Sequence, residues 1–262
     1  MSWVTTVIVF VAGICSGILA SVLGVGGAVI TTPLIRFLGA TPIEAVGSTV
    51  PAILPGAISG SLRYHREGYI EWPMVWRCGG CGMIFAVAGG WVADIVNPRW
   101  LMIVTALLVL WSGISLVRSG EPAPSRTSDT SSAQPVQPSP TSLSRALALG
   151  ATAGFLAGLL GVGGGVVLTP GLSLVVGLPM KRAIATSLAS VSLMSTTALA
   201  THIALGHINW AFALPLAAGI VPGAQIGAHL TVAAQEHTMR RVAGVLLIIV
   251  AIIYLATEMR SL

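Results

Sequence analysis

Ten apolar segments follow one another through this chain, at residues 3–23, 25–38, 42–66, 72–94, 98–118, 143–160, 162–176, 179–205, 210–233 and 238–257. So dense a succession cannot be covered by polar surface in water, because charged residues make up only 8% of the sequence and its mean hydropathy is +0.91. The solvent must be a lipid bilayer. A helix needs about 20 residues to cross the hydrocarbon core, and inside lipid each backbone N–H and C=O has to be satisfied within the span. The expected class is therefore an all-α, multi-pass integral membrane protein. Met1-Ser2-Trp3-Val4 carries neither the basic stretch nor the small-residue cleavage site of a secretory leader, so the first segment is expected to stay as a membrane helix. Basic residues are scattered over short loops rather than gathered into a patch. That distribution carries topology information and argues against nucleic acid as a partner.

The first half of the chain is written again in the second. At a shift of 137, Gly13, Gly17, Ala20, Leu23, Gly24, Val25, Gly26, Gly27, Thr32 and Pro33 all meet identical residues. One inserted residue later the shift is 138, which sets Ala45-Val46-Gly47-Ser48-Thr49 on Ala183-Ile184-Ala185-Thr186-Ser187, Gly68 on Gly206 and Trp72 on Trp210. The chain thus reads as two homologous helical repeats, 1–118 and 143–262, of about five apolar segments each. Between them, residues 119–142 are dense in Pro, Ser, Thr and Gln and cannot bury enough apolar surface to offset their chain entropy. This stretch reads as a disordered linker.

Charge parity distinguishes two topologies. If the first two segments of each repeat are one broken crossing, the basic residues divide evenly between the two sides. If they form a hairpin that returns to its starting side, Arg63, Arg66, Arg77, Arg118, Arg126, Arg145, Lys181, Arg182, Arg240 and Arg241 gather on one side, and only Arg36, Arg99 and Arg260 lie opposite. Basic loops stay cytoplasmic, so the second arrangement makes the repeats inverted, the linker cytoplasmic and both termini external. The second segment of each repeat has only about 14 residues, too short for a core about 30 Å thick, so the hairpin is expected to be re-entrant.

At the hairpin tips stand Gly24-Val25-Gly26-Gly27 and Gly161-Val162-Gly163-Gly164-Gly165. Glycine allows the sharp turn, and the short helix that follows begins with unpartnered N–H groups and a positive dipole end, which suit an anion. Close helix packing is the competing reading of such glycines. Ser48, Thr49, Thr186 and Ser187 form a second constellation, whose hydroxyls either donate to an oxyanion or bond to backbone within their helices. Among charged groups, Arg77 is the best placed, while Glu44, Glu67, Glu71 and Asp94 fall near segment ends and read as solvated. His202, His207 and His229 titrate near neutral pH and are candidates to carry a coupling proton, although no histidine occupies the matching positions of the first repeat; packing is the competing role. Cys78-Gly79-Gly80-Cys81 has redox or zinc spacing without a second pair to complete a metal sphere. Nucleophile triads, phosphate loops and paired catalytic carboxylates are not found, so neither an enzyme nor a cofactor site is expected.

The two Gly-rich turns, with Pro33 and Pro170 following them, and the Ala-x-x-Thr-Ser run from Ala183 to Ser187 resemble the TauE/SafE sulfite exporter family, also called the toluene-sulfonate uptake permeases. The resemblance covers both repeats. It implies a transporter of sulfite, sulfonates, sulfoacetate or related sulfur-containing anions in the bacterial inner membrane, with a small anion and the bilayer as partners. It implies a substrate region at Gly24, Gly26 and Gly27, at Gly161, Gly163, Gly164 and Gly165, and at Thr186 and Ser187; the repeat register adds Ser48 and Thr49, which depart from the family's Thr-Ser order. Ala28 stands where the second repeat has Gly165, which leaves the first repeat's share of the site less complete. Alternating access with protons as coupling ion is the expected mechanism, and a homo-oligomer is compatible with it. An anion channel, or a membrane subunit recruiting a partner through the linker, is the alternative.

Overall fold

The computed structural model describes residues 3–118, 140–233, 241 and 244–252, and among them every regular element is a helix. The expected linker over 119–142 lies almost wholly outside the described residues, as do the two ends of the tenth segment. The helices are α1 (Trp3–Leu23), α2 (Ala28–Phe37), α3 (Pro42–Arg66), α4 (Trp72–Ile95), α5 (Pro98–Arg118), α6 (Pro140–Leu160), α7 (Gly165–Leu174), α8 (Met180–Ala204) and α9 (Trp210–Ala233), followed by a helical stretch at 244–252. Six of them, α1, α3, α4, α6, α8 and α9, hold windows long and apolar enough to cross a membrane.

Local sequence sets the boundaries. Thr41 caps α3 through a reciprocal pair with Glu44, and Pro42 opens the helix where its missing N–H costs nothing. α1 and α6 each end where three glycines take left-handed backbone angles: Gly24, Gly26 and Gly27 at φ 70°, 88° and 89°, and Gly161, Gly163 and Gly164 at 62°, 82° and 73°. A side chain would be strained at any of the six. α2 and α7, which follow, have only 10 residues each, about 15 Å, half of a bilayer core. Val9 near the start of α1 and Ile35 near the end of α2 belong to one buried cluster, so α2 folds back beside α1 as a hairpin. Within α4, residues Val75–Gly79 form a single π-helical turn that carries the half-buried Arg77 and the buried Cys78.

The two halves of the chain interleave rather than sit side by side. α1 lies along α9, and its counterpart α6 lies along α4; these are the two most extensive helix pairs. Both seams are built of small residues, as lipid-embedded helices require when dispersion rather than water drives their contact. Gly13 and Gly17 approach the backbone of Leu216 to Ala224, and Gly150, Gly154 and Gly158 approach that of Cys78 to Gly90. α3 and α8 fill the centre, packed on each other, with α3 also against α9 and α8 also against α4.

The seam makes a specific stability prediction. A methyl at Gly154 would land on the backbone of Gly82, whereas one at Gly80 meets nothing within 4 Å. Gly154→Ala is expected to destabilise the protein by about 1–3 kcal/mol through overpacking. Gly80→Ala should be neutral or stabilising by up to about 1 kcal/mol, since it removes chain entropy from the unfolded state. Thermal unfolding midpoints in detergent check the pair; equal midpoints for the two variants would contradict this packing.

Candidate functional site

Breaking a helix inside an apolar medium leaves backbone carbonyls without partners, and a buried unpaired carbonyl costs about 1–3 kcal/mol. At the two tips these carbonyls are met by hydroxyls from the other repeat. Ser187 Oγ of α8 donates to Gly24 O at 2.9 Å, and Thr169 Oγ1 of α7 donates to the same oxygen at 3.1 Å. Reciprocally, Thr49 Oγ1 of α3 donates to Gly161 O at 3.3 Å while also reaching Val46 O within its own helix. Thr49 and Ser187 are equivalent at the repeat shift, as are Gly161 and Gly24. The third tip glycine of the first repeat, Gly27, accepts from Ser16 Oγ and, at 3.4 Å, from Thr31 Oγ1.

A second reciprocal pair lies one residue away. Ser48 Oγ accepts from the backbone N–H of Asn209 at 2.8 Å, and Thr186 Oγ1 accepts from that of Glu71 at 3.1 Å. Asn209 and Glu71 are again equivalent residues, each just before the first residue of α9 or α4. Glu71 also pairs with Arg182, and the matching Glu44 faces the side chain of Asn209. Each repeat therefore clamps the other through the same polar positions. All four hydroxyl residues, Ser48, Thr49, Thr186 and Ser187, are fully buried.

Between the tips stand two side chains that sequence reasoning passed over. A Cβ at Gly26 would meet Ile53 and Val191 at 3.2 Å each, and one at Gly163 would meet the same two side chains at 3.2 and 3.1 Å. Ile53 and Val191 are equivalent residues of α3 and α8, so the middle glycines of both tips lie against one apolar pair. The 138-residue shift already aligned them. Their apolar character gave no reason to single them out.

All eleven sequence-selected residues fall in this one central layer. Gly27 and Gly164 cap α2 and α7 in left-handed geometry, with no side-chain hydrogen bond capping either helix. Gly165 is right-handed and packs on the backbone of Gly24 and Val25, and its counterpart Ala28 is fully buried. The hydroxyls differ from expectation in what they do: Thr49 and Ser187 donate to tip carbonyls, which commits their protons. A cavity of about 340 Å³ lies to one side, between α3, α4 and α8, lined by Ser61, His65, Trp72, Trp76 and Ser192 among others, and it reaches the residues flanking Val191. Other sequence candidates lie elsewhere. Arg77, Cys78 and Cys81 are on α4, where Cys78 Sγ donates to Ala146 O, and His229 is exposed on α9. The acidic residues at helix ends are engaged, Glu67 with Arg63 and Asp94 with His207.

Known proteins agree on the class. The family described as "Sulfite exporter TauE/SafE" matches residues 9–254. The chain is 27% identical to "Probable membrane transporter protein YunE" of Bacillus subtilis over 93% of its own length and 95% of the relative's. It is also 27% identical to a "Probable membrane transporter protein" of Xylella fastidiosa, covering 90% and 89% of the two chains. A further relative so described, from Methanocaldococcus jannaschii, is 25% identical over 84% of each chain. No solved structure matches significantly.

The crossed hydroxyl bonds carry a directional prediction. Thr49→Val keeps shape but strips the donor from Gly161 O, and Ser187→Ala does the same to Gly24 O; each should cost about 1–3 kcal/mol. Hydrogen exchange should then speed up at 161–165 in the first variant and at 24–28 in the second, the tip of the opposite repeat in each case. Acceleration confined to the helix that carries the substitution would contradict the crossed arrangement.

Proposed function

This membrane transporter belongs to the TauE/SafE sulfite exporter family, and from that premise we propose that it carries small sulfur-containing oxyanions, such as sulfite, sulfonates or sulfoacetate, by alternating access at the junction of its two Gly-rich tips. The observation that carries this reading is the pair of facing tips, each tied to the other repeat by equivalent hydroxyls and closed over Ile53 and Val191. Helix N-termini at Gly27 and Gly164 offer N–H donors and positive dipole ends without a fixed cation, which suits a site that must release its anion as well as hold it. Withdrawal of one tip frees the hydroxyl that held its carbonyl. Ser187 or Thr49 can then donate to an oxyanion instead, so substrate replaces the tip carbonyl as acceptor on one side at a time.

The repeats 1–118 and 143–262 are, in this reading, inverted across the inner membrane, with the linker 119–142 disordered and cytoplasmic and both termini outside. Contacts at the helix ends support it. Arg182 pairs with Glu71 and Lys181 Nζ reaches Val232 O at 2.8 Å, so the starts of α8 and α4 and the end of α9 share one level, the level where basic residues gather. His207 bonds Asp94 at the opposite level, beside the start of α9 and the end of α4. Charged residues at the lower-hydropathy boundary then stay on the cytoplasmic side.

The test is sulfite flux into proteoliposomes. Uptake should saturate with sulfite and should fall at least tenfold in Gly26→Leu and Gly163→Leu, each of which puts a leucine at a left-handed position with its side chain against Ile53 and Val191. Variants that elute as folded protein and take up sulfite like the parent would place the site elsewhere. Ohmic currents in place of saturable flux would replace the carrier with a channel.

A further inference from the structure

Three titratable side chains outside the tip contacts form one continuous hydrogen-bonded chain. His202, fully buried near the end of α8, has its Nε2 3.0 Å from Gly158 O. Its Nδ1 is 3.1 Å from Nδ1 of His207, in the loop between α8 and α9. His207 Nε2 is in turn 3.1 Å from Asp94 Oδ1 at the end of α4. The chain runs from a carboxylate whose side chain is 52% exposed to a carbonyl in the last turn of α6, three residues before tip glycine Gly161.

The hydrogens can be counted. Gly158 O and a carboxylate oxygen only accept, so both outer ring nitrogens must carry a hydrogen, and the facing Nδ1 atoms need one between them. Three contacts therefore require three hydrogens. Two neutral imidazoles bring two. The chain closes only when one further proton is present, as an imidazolium shared by the pair and balanced by the Asp94 carboxylate.

The other repeat shows what this position does without that proton. At the repeat shifts Tyr64 stands for His202, Ser21 for Gly158, Tyr69 for His207 and Val232 for Asp94. Tyr64 Oη donates to Ser21 O at 2.7 Å, so the same tether between long helix and hairpin is made by a neutral phenol. A histidine is not needed to make the tether. What the histidine pair adds is dependence on a proton.

We propose that Asp94, His207 and His202 form a binding site for one proton, and that its occupancy decides whether the hydrogen-bonded chain from the end of α4 to the second hairpin is closed; this rests on the transport reading, in which the hairpins are the moving parts. The proton enters from water at Asp94, forms an N–H bond on His207 Nε2, and shifts the existing hydrogen of the pair toward His202. Its departure reverses these shifts and opens the contact between His207 and Asp94, so that α8 and the second hairpin are no longer tied to the end of α4. Among the described side chains, the facing groups are Glu44 from α3, held by Thr41 and turned to Asn209, Asp94 from α4, and the Gly158 carbonyl from α6. The other charged or imidazole groups on these helices, Arg63, His65, Arg66, Arg77, Arg145, Lys181, Arg182 and His229, lie toward the opposite ends.

Asp94→Asn separates proton from shape, because an amide can donate to His207 Nε2 and close the chain with neutral rings. His202→Tyr copies the tether of the first repeat. Nitrogen-15 NMR of histidine-labelled full chain in nanodiscs, titrated between about pH 5 and 8, reads the site without any substrate. Of the two rings of His202 and His207, one should gain both N–H groups in the wild type, a signal lost in Asp94→Asn and absent from His202→Tyr. Identical titrations in wild type and Asp94→Asn, or two neutral rings throughout, overturn the proposal. In sulfite proteoliposomes a pH gradient should alter wild-type uptake several-fold and leave uptake by Asp94→Asn unresponsive; a preserved response in that variant overturns the coupling role. Absence of sulfite flux in the wild type sinks the transport reading instead, while the titration still decides the proton site.

Discussion

The architecture depends on one requirement: two helices end in glycine turns buried inside the protein, and the carbonyls left there need donors. Water is not at hand to supply them. Gly24 O and Gly161 O are satisfied by Ser187, Thr169 and Thr49, and each donor comes from the repeat that does not own the carbonyl. Reciprocity follows from the duplicated sequence, since any residue able to hold the first tip has a counterpart placed to hold the second. The same logic reaches outward through Ser48 with Asn209 and Thr186 with Glu71. A break that would be a defect in a single helix becomes, when duplicated, the point at which the two repeats hold each other.

Much of this was legible in the sequence. Helical spans came from length and hydropathy, the breaks from Gly24 and Gly161, and the short second limb from the distance between glycine and the next loop. The candidate layer also emerged, because the repeat register put the hydroxyl pairs at matching positions. What the hydroxyls bond was not legible. Ser187 and Gly24 are far apart in sequence, and a choice between carbonyl and anion as acceptor depends on which backbone lies opposite, something a one-dimensional pattern does not encode. Ile53 and Val191 escaped for another reason, since apolar residues in an apolar segment carry no signal beyond their register.

Departures from the repeat are as informative as agreements. Pro51 and Pro55 lie within α3, and α8 has no proline inside, so one central helix lacks backbone donors that the other keeps. Thr169 bonds Gly24 O, while its counterpart Thr32 is buried with no partner for its hydroxyl. Tyr64 and His202 make equivalent tethers with different chemistry. No histidine stands at the matching positions of the first repeat, where Tyr64 and Tyr69 take the places of His202 and His207. Setting the two contacts side by side shows that the tyrosine already does the structural work, which is what leaves the histidine's acidity to be explained.

The interleaving of α1 with α9 also bears on how the chain is made. Ribosomes deliver α1 first, yet the surface it was shaped to meet is synthesised nearly last. Until then Gly13 and Gly17 face lipid, a solvent that tolerates small residues but gives them nothing to grip. The first helix must therefore wait in the bilayer, neither misfolded nor finished, while the rest of the molecule is threaded beside it. Biogenesis closes a clasp whose two arms, α1 and α9, are made far apart in the message, and a product truncated before α9 cannot fasten it.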